Sequence, residues 1–548
     1  MPVDGFVPYK KKDVQKYNKL RWWLGITWGD MFDKATDVYP EKIGLVDDTS
    51  RFTYAQLREK VDKAAIGFMN LGIKQKDFVL VQIPNWHEFV VAYFALQKIG
   101  AIVVLLISRH GLAEVNYLAG LTNPTAYIVP MQYGKIEYAP LIEGVTSATK
   151  SIKHVVTVRS PGENKYTSME KLIEESQLTK ENLKALADRR PDPMEVAFIL
   201  PTGGTTGLPK AVPRTHNDYI TYVEYHAKAW EITANDTLLT AAPVSHSQGM
   251  HCGLGASFLN AATYVLTEST DAENLCKVIQ KEKVTAFPTV PAIAQRMTTL
   301  ENLRDFDISS LKKIYCGGAP STPELVRSVY ENLKCKFVNA FGSSEGVAMM
   351  TRLNHDVDTI CNTVGKVDCP YNTVKTIDQY GKKCPVGKEG EFVSKGPTVF
   401  TGYFKSPEEN EKIFTKDGFF KTGDLAMIDE RGIIKVTGRI KETILRGGET
   451  IAAGGIERLI CTHTGVAEVA VIGMPDKALG ERICAYVQLK PGVKLTFEEL
   501  IAHLKSVGAS VMQLPERVEF IDTMPLSKVG KADKNFLKED IKKRLGIA

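Results

Sequence analysis

The sequence predicts an α/β protein. We expect a large N-terminal domain of stacked, mostly parallel sheets with helices, then a small β subdomain, and last a small α+β C-terminal domain. From about residue 40, short apolar runs alternate with longer amphipathic segments, which is the pattern of parallel sheets covered by helices. Past residue 370, short strand-like runs separated by tight turns replace this alternation. After residue 438, a compact segment again mixes both types of element.

In the N-terminal part, the apolar run at residues 78–83 predicts a strand, and the helical spacing of residues 87–98 predicts a helix. Further strands are expected at 101–107, 154–158, 197–200, 238–241, 264–267, 284–287 and 313–316. Further helices are expected at 112–119, 217–230, 273–281 and 324–333. The polar run 160–195 is expected to be a solvated excursion. Binding sites in such folds collect at the carboxyl ends of the strands.

The C-terminal part begins with the β subdomain, whose strands are expected at 391–394, 419–422 and 433–436. Beyond it, strands at 469–472 and 483–489 and a helix at 497–506 predict a separate α+β unit. We place the boundary within 438–441. The predicted domains are therefore residues 1–438 and 439–548.

Composition limits the classes of function. The net charge of +5 is small against 69 basic and 64 acidic side chains, so it indicates no nucleic-acid partner. The longest apolar run, residues 101–107, is far shorter than the ~20 residues of a membrane helix. Nine cysteines without a Cys-x-x-Cys pair indicate reduced thiols. We therefore expect a cytoplasmic protein without a membrane partner, either a monomer or a homodimer.

Residues 201–210 form the most informative stretch and read Pro-Thr-Gly-Gly-Thr-Thr-Gly-Leu-Pro-Lys. Glycines let backbone N–H groups turn toward one point, and hydroxyl groups and a lysine add donors and positive charge. This composition, directly after a buried strand, predicts a phosphate-binding loop. The Walker A motif is excluded, because Pro209 precedes Lys210 and Ala211 stands where a hydroxyl residue is required. A metal ligand must therefore come from elsewhere in the chain.

The ten residues resemble the signature of the adenylate-forming superfamily. That superfamily contains acyl- and aryl-CoA ligases, aryl-acid ligases of siderophore synthesis, luciferases and adenylation domains of peptide synthetases. Further motifs of the family follow in the family's order: residues 317–320 (Gly-Gly-Ala-Pro), 339–345 (Asn-Ala-Phe-Gly-Ser-Ser-Glu), 422–424 (Thr-Gly-Asp), 438–442 (Gly-Arg-Ile-Lys-Glu) and 525–531 (Pro-Leu-Ser-Lys-Val-Gly-Lys). The resemblance extends from about residue 30 to the end. It is strongest to 2,3-dihydroxybenzoate-AMP ligases and benzoate-type CoA ligases.

The resemblance implies an ATP site. Its members are Thr202, Gly203, Gly204, Thr205, Thr206, Lys210, Gly318, Ala319, Asn339, Ala340, Phe341, Ser344, Asp424, Arg439, Lys441 and Lys531. Phe341 would offer a flat apolar face to adenine, and Asp424 would accept hydrogen bonds from the ribose hydroxyls. Glu345 and Thr202 would supply hard oxygen ligands to Mg²⁺. Asn339 replaces the usual Gln and Ser344 the usual Thr.

The resemblance also assigns roles to the C-terminal residues. Lys531 is the implied catalytic residue, and Lys441 is the implied pivot about which a mobile C-terminal domain turns. Gly447 and Gly448 would line the tunnel through which CoA reaches the acyl group. Gly455 stands where many members have Glu.

The acid-binding residues implied by the resemblance are His246, Ser247 and Gly318. Residues 243–249 offer no Asp to pair with an amino group, so an amino-acid substrate is disfavoured. The 2,3-dihydroxybenzoate ligases have His-Asn-Tyr where this chain has His246-Ser247-Gln248. We therefore expect a compact ring acid, either aromatic or alicyclic.

The sequence thus predicts an AMP-forming carboxylic acid–CoA ligase that uses ATP, Mg²⁺ and CoA. One alternative is an aryl-acid–AMP ligase that loads the pantetheine of a carrier protein. The other is a nucleotide-binding protein without turnover, which is expected to lack Lys531 or Glu345, and both residues are present.

Overall fold

The computed structural model describes residues 2–160, 164–202, 209–446, 449–476, 479–507, 509, 513–527 and 530–547. The strands are β1 (Ile43–Val46), β2 (Arg51–Thr53), β3 (Phe78–Val81), β4 (Ile102–Leu105), β5 (Ala126–Pro130), β6 (Gln132–Tyr133), β7 (Ile136–Glu137), β8 (His154–Val158), β9 (Thr167–Ser168), β10 (Val196–Thr202), β11 (Lys210–Thr215), β12 (Thr237–Thr240), β13 (Thr263–Leu266), β14 (Ala286–Thr289), β15 (Lys313–Cys316), β16 (Lys336–Gly342), β17 (Ala348–Met350), β18 (Lys366–Val367), β19 (Thr373–Ile377), β20 (Gly390–Lys395), β21 (Phe420–Ile428), β22 (Ile434–Arg439), β23 (Thr443–Arg446), β24 (Glu449–Ala452), β25 (Val466–Asp476), β26 (Gly480–Leu489) and β27 (Arg517–Ile521).

The α-helices lie between these strands. They are α1 (Lys11–Lys19), α2 (Trp28–Val38), α3 (Tyr54–Asn70), α4 (His87–Lys98), α5 (Leu112–Thr122), α6 (Ala139–Ala148), α7 (Met169–Glu175), α8 (Lys180–Ala187), α9 (His216–Ala229), α10 (Ala256–Leu259), α11 (Ala272–Glu282), α12 (Pro291–Thr298), α13 (Pro323–Ser328), α14 (Val357–Asn362), α15 (Pro407–Lys412), α16 (Ala453–Ile460), α17 (Phe497–Ser506) and α18 (Lys534–Arg544). π-Helical turns occupy Gly249–Gly255 and Val329–Leu333, and 3₁₀ turns occupy Leu303–Asp305 and Ile440–Glu442.

Two large sheets form the main body of the described chain. One has the order β18-β17-β16-β15-β14-β12-β13-β1-β2, and its strands from β16 to β1 run parallel. The other has the order β11-β10-β4-β3-β5-β8-β9 and is parallel except for the β10–β11 pair. The α/β prediction with stacked, mostly parallel sheets is therefore confirmed.

Two smaller sheets follow. The antiparallel sheet β19-β20-β21-β22 is the predicted β subdomain. The last sheet has the order β24-β23-β26-β25, and β27 pairs with β26 in parallel. Helices α16, α17 and α18 accompany this last sheet, which gives the predicted α+β unit. Strand β22 ends at Arg439 and β23 begins at Thr443, and the exact division at residues 438 and 439 stays a prediction.

Helix α4 is the centre of the largest hydrophobic core. From Glu88 to Lys98 every residue of this helix is buried, as expected for a helix that is apolar on nearly all sides. Other helices are defined by their first turns. A capping box pairs Thr27 with Asp30 at the start of α2, and another pairs Thr215 with Asp218 at the start of α9.

Most predicted elements exist within two residues of the expected bounds, and 87–98, 154–158, 313–316 and 497–506 match fully. Several segments differ from the prediction, and some expected strands are longer, such as β21 and β25. The polar run 160–195 contains helices α7 and α8, of which α7 packs on α3, so it is not only a solvated excursion. The helix expected at 324–333 changes to a π-helical turn after Ser328. Residues 210–215 form a strand that the sequence analysis did not expect.

All nine cysteines are free, in agreement with the expected reduced thiols. Among the described residues, none of the helices combines the length and the apolar character that crossing a membrane requires.

Candidate active site

The glycine- and threonine-rich loop joins the antiparallel strands β10 and β11, whose ends pair at Thr202 and Lys210. Gly203, Gly204, Thr205 and Thr206 were predicted to bind phosphate, and they lie outside the described residues. Thr202 is half-buried at the end of β10. The ammonium of Lys210 forms an ion pair with Glu409 and lies 4.5 Å from the centre of the Tyr403 ring.

Glu345 occupies the turn between β16 and β17 and is 8% exposed. Its Oε1 accepts a hydrogen bond of 2.8 Å from the Tyr403 hydroxyl. Burial and the neighbouring carboxylate of Glu345 raise the pKa of Tyr403, so the phenol keeps its proton and donates. Tyr403 therefore connects the carboxylate of Glu345 with Lys210 at the base of the loop.

Arg214 stabilises the turn that carries Glu345. This arginine is fully buried, and its Nη1 donates to the carbonyl of Ser344 at 2.7 Å. Nη2 donates to the carbonyl of Thr398 at 2.7 Å, and Nε donates to Asp218 at 2.8 Å. The sequence analysis did not select Arg214 as a site residue, although a lone arginine directly after the apolar residues 211–213 is a signal for a buried ion pair.

Gly346 allows the turn to pass close to a neighbouring segment. Its φ of +98° belongs to the left-handed region, and an added Cβ would lie 1.8 Å from the carbonyl oxygen of Thr398. The glycine after Glu345 is therefore required by both conformation and space.

Asp424 and Arg439 face each other on the paired strands β21 and β22. Arg439 Nε donates to Asp424 Oδ1 at 2.8 Å. Burial raises the pKa of Asp424, and the positive charge of Arg439 opposes that shift. The two predicted ribose-binding residues therefore form one ion pair, in which Asp424 is buried and Arg439 is exposed.

The predicted adenine-binding residues lie at the carboxyl ends of β15 and β16. Gly318, with a φ of +86°, and Ala319 are exposed just after β15. Phe341 is half-buried at the end of β16, and Ala340 before it is buried. Asn339 is buried as well, and its amide nitrogen donates to the carbonyls of Ile360 and Thr363. That amide nitrogen therefore fastens helix α14 to the strand.

His246 lies after β12, between the buried residues Ser245 and Ser247. The Gln248 side chain donates to the carbonyl of Thr289 at 2.7 Å, which fixes this segment against β14. Burial lowers the pKa of His246 to about 4, with further lowering by the positive charge of Lys531 and by His110. His246 is therefore neutral near pH 7.

Lys531 comes from the C-terminal part of the chain and reaches the same cleft. Its backbone carbonyl accepts a hydrogen bond of 2.6 Å from the backbone N–H of Ser527, which closes the turn that bears it. The protein atoms around Lys531 and the charge of Arg439 lower its pKa, although the side chain stays accessible to solvent, while Asp424 and Glu442 oppose that shift. Lys531 thus interacts electrostatically with Arg439, Asp424 and His246, which the sequence places far apart.

Lys534 connects this turn to the segment that follows β22. Its ammonium pairs with Glu442 and, at 2.8 Å, with Glu457 on α16. The side chain of Lys441, predicted as the pivot, lies outside the described residues, and so do Gly447 and Gly448, predicted to contact CoA.

The model of the AMP-binding enzyme family matches residues 32–404. The model of the AMP-binding enzyme C-terminal domain matches residues 455–531.

Three relatives align over nearly the whole chain. The 2,3-dihydroxybenzoate-AMP ligase of Bacillus subtilis (strain 168) is 32% identical, over 99% of this chain and 99% of its own. A salicylyl-CoA synthase / salicylate adenylyltransferase of Streptomyces sp is 32% identical, over 99% and 98%. The salicyl-AMP ligase / salicyl-S-ArCP synthetase of Mycobacterium tuberculosis (strain ATCC 25618 / H37Rv) is 31% identical, over 100% and 95%.

Among solved structures, apo MbtA of Mycobacterium smegmatis is 31% identical and superposes with a TM-score of 0.74 over 98% of each chain.

Proposed function

Because the chain belongs to the AMP-binding enzyme family and is an adenylate-forming ligase, we propose that it activates an aryl acid as its acyl adenylate and transfers it to the pantetheine thiol of a carrier protein. The sequence analysis put CoA first as the acceptor. The relatives support the carrier-protein alternative better, since two of the three are named as AMP ligases and one of these also as an S-ArCP synthetase. CoA remains the second candidate because the third relative is a CoA synthase.

The proposed first step overcomes the low reactivity of a carboxylate. The acid's oxygen attacks the α-phosphorus of ATP, an O–P bond forms, and the bond to the β-phosphate breaks to release pyrophosphate. No side chain has to act as a nucleophile, so catalysis consists of positioning and of neutralising charge. The hydroxyl of Thr202 and the ammonium of Lys531 would stabilise the negative charge that grows on the phosphoryl oxygens. Losing one such preorganised donor typically costs ~10²–10³ in rate.

A buried carboxylate at the edge of the cleft fits a hard cation. Glu345 offers oxygen donors, and Tyr403 holds one of them in a fixed position. Glu345, with Thr202, would therefore hold Mg²⁺, which when bound supplies positive charge beside the phosphates. Arg214 acts on this carboxylate indirectly, by fixing the carbonyl of the residue before it.

The nucleoside would be held by residues of one large sheet and of the β subdomain. Phe341, Gly318 and Ala319 would contact adenine at the carboxyl ends of β15 and β16. Asp424 would accept hydrogen bonds from the ribose hydroxyls, and Arg439 would keep that carboxylate charged and oriented.

The acid would lie beside His246, Ser247 and Gly318. A neutral His246 presents a polar but uncharged wall, which suits an aromatic or alicyclic ring whose only charge is the carboxylate. The carboxylate itself would face Lys531, whose positive charge acts on His246.

The second step needs the acyl adenylate to become accessible to a thiol. We propose that Lys531 then leaves the cleft by a rotation of the C-terminal domain at Lys441, and that the segment with Gly447 and Gly448 takes its place. A hinge of this kind needs a large dihedral change in only a few residues.

A single observation carries this proposal: Lys531, from the last part of the chain, interacts with Asp424 and His246. We expect Lys531→Ala to lower the rate of acid-dependent pyrophosphate exchange by ~10²–10³. We expect it to spare thioester formation from acyl adenylate supplied in place of ATP. Lys543→Ala, an exposed lysine of the same domain, is the matched control and should leave both steps unchanged. Equal loss of both steps in Lys531→Ala would contradict the proposed division of roles.

The acceptor is tested separately. A panel of benzoate, salicylate, dihydroxybenzoate and alicyclic acids identifies the substrate through ATP-dependent pyrophosphate exchange. The best acid is then offered with free CoA or with a pantetheinylated aryl carrier protein, and the thioester is measured. Faster transfer to the carrier protein supports the proposal, whereas faster transfer to CoA selects the second candidate.

A further inference from the structure

A cluster of two histidines and a cysteine lies next to Ser247, one of the predicted acid-binding residues. His226 belongs to α9, and His251 and Cys252 belong to the π-helical turn Gly249–Gly255. All three are buried, with exposures of 0%, 3% and 0%. Their possible ligand atoms all lie within 4.8 Å of one another. The proposed ligase mechanism uses none of these side chains.

Hydrogen bonds hold the Nδ1 atom of each imidazole and leave its Nε2 atom as the possible metal ligand. His226 Nδ1 donates to Asp368 Oδ2 at 2.9 Å, and His251 Nδ1 donates to the backbone carbonyl of Ser247. The Nε2 atom of each ring then carries a lone pair. Histidines that bind metals usually have this arrangement, in which a carboxylate or a carbonyl fixes the tautomer and the ring.

The two Nε2 atoms have different surroundings. His226 Nε2 lies 3.1 Å from Cys252 Sγ, so the thiol can donate to it. His251 Nε2 is buried and has no hydrogen-bond partner in the described part of the chain. Leaving a buried acceptor without a partner destabilises the folded state. A chain of hydrogen bonds through Asp368, His226 and Cys252 therefore explains only part of the cluster, and the lone pair of His251 still requires a partner.

We propose that His226, His251 and Cys252 form a buried binding site for a zinc ion. Two imidazole nitrogens and one thiolate are the ligand types that zinc prefers, whereas Mg²⁺ and Ca²⁺ prefer oxygen. On binding, the S–H bond of Cys252 breaks, the proton passes to solvent, and a bond from sulfur to zinc forms. Three protein ligands leave the fourth tetrahedral position to water or to a neighbouring phenol oxygen. This site is independent of the proposed ligase function.

Such an ion would hold the segment that carries Ser247 in a fixed position in the predicted acid pocket. It would join helix α9 to the π-helical turn, and the same turn is tied through His251 to the carbonyl of Ser247. Asp368 is itself 3.4 Å from Arg352, so the carboxylate that supports His226 is held from two sides.

The test uses the full-length chain purified without chelators. We expect about one zinc per chain by elemental analysis, and we expect cobalt bound after zinc removal to show a thiolate-to-cobalt charge-transfer band. His251→Ala and Cys252→Ser should each remove the band. Asp368→Asn should weaken cobalt binding by ~10–100-fold, the usual effect of losing a carboxylate behind a histidine ligand. Cys276→Ser, a buried thiol of α11, is the matched control and should retain the band.

Two results would overturn the zinc site. One is a wild-type chain that holds no zinc when purified and shows no charge-transfer band with cobalt. The other is zinc content that is unchanged in folded Cys252→Ser, since the metal would then lie elsewhere. If His251→Ala and Cys252→Ser do not fold, a wild-type chain without the band still overturns the site, and weaker cobalt binding in folded Asp368→Asn still supports it.

Discussion

Replacing Arg214 with Met tests whether the turn that carries Glu345 depends on a buried ion pair. Methionine fills a similar volume but leaves Asp218, which is 1% exposed, without its cation. It also leaves the carbonyls of Ser344 and Thr398 without donors. Removing one partner of a buried ion pair typically costs ~3–5 kcal/mol. We therefore expect Arg214→Met to lower the free energy of unfolding by about that amount.

The assay is urea denaturation of the full-length protein, combined with Mg²⁺ titration of pyrophosphate exchange. We expect the half-saturating Mg²⁺ concentration to rise by ~10–100-fold, since the turn loses the donor that fixes Ser344. Arg431→Ala is the matched control. Its side chain is 70% exposed in an ion pair with Asp429, and such surface ion pairs are worth ~0–1 kcal/mol. A loss of less than ~1 kcal/mol in Arg214→Met would refute the reasoning.

Three further substitutions test other contacts. Tyr403→Phe removes the hydrogen bond to Glu345, so the half-saturating Mg²⁺ concentration should rise by ~2–13-fold, equivalent to ~0.5–1.5 kcal/mol. Gly346→Ala places a methyl group against the carbonyl of Thr398 and also holds alanine at a positive φ. Because the φ strain alone costs ~1–3 kcal/mol, the free energy of unfolding should fall by ~3 kcal/mol or more. Burial lowers the pKa of His216 to about 3, so the folded state binds fewer protons than the unfolded state below ~pH 6.5. Stability from this group is complete above that pH and falls as the pH drops toward 3, a slope that His216→Asn should reduce in denaturation curves.

Matched controls exist for two of these substitutions. Tyr380 is 79% exposed, and Tyr380→Phe should not change the Mg²⁺ requirement. Gly381 has a φ of +78° but no atom within 4 Å of an added Cβ. Gly381→Ala should therefore cost less than Gly346→Ala, and an equal cost would show that crowding at Thr398 is unimportant. If the loss of stability at acid pH is the same in His216→Asn as in the wild type, other groups cause that loss.

The sequence was a good guide to strands that are buried on both faces, because these read as continuous apolar runs. It missed β11, since Pro213 in the middle of the segment argues against a strand. The structure places β11 at the edge of its sheet, where a missing N–H is tolerated. Helices α7 and α8 were missed because the run 160–195 is rich in polar residues, and the packing of both helices on α3 shows that they belong to the fold.

For the site, ordered motifs predicted residues such as Glu345, in the turn after β16, and Asp424, within β21. They could not identify partners that come from other segments. Tyr403 reaches Glu345 across a separation of 58 residues, and Arg214 reaches Ser344 across 130. The sequence carries no local signal for such pairs, because their distances depend on how the sheets pack.

The double ion pair of Lys534 has a mechanical consequence. Since this lysine joins the start of α18 to Glu442, next to the proposed hinge, and to Glu457 on α16, it links the turn that bears Lys531 to the rest of the C-terminal unit. The proposed rotation at residue 441 would therefore carry that whole unit. One angle at this residue would set the positions of Lys531 and of the segment proposed to replace it, so the two proposed steps would need two different angles.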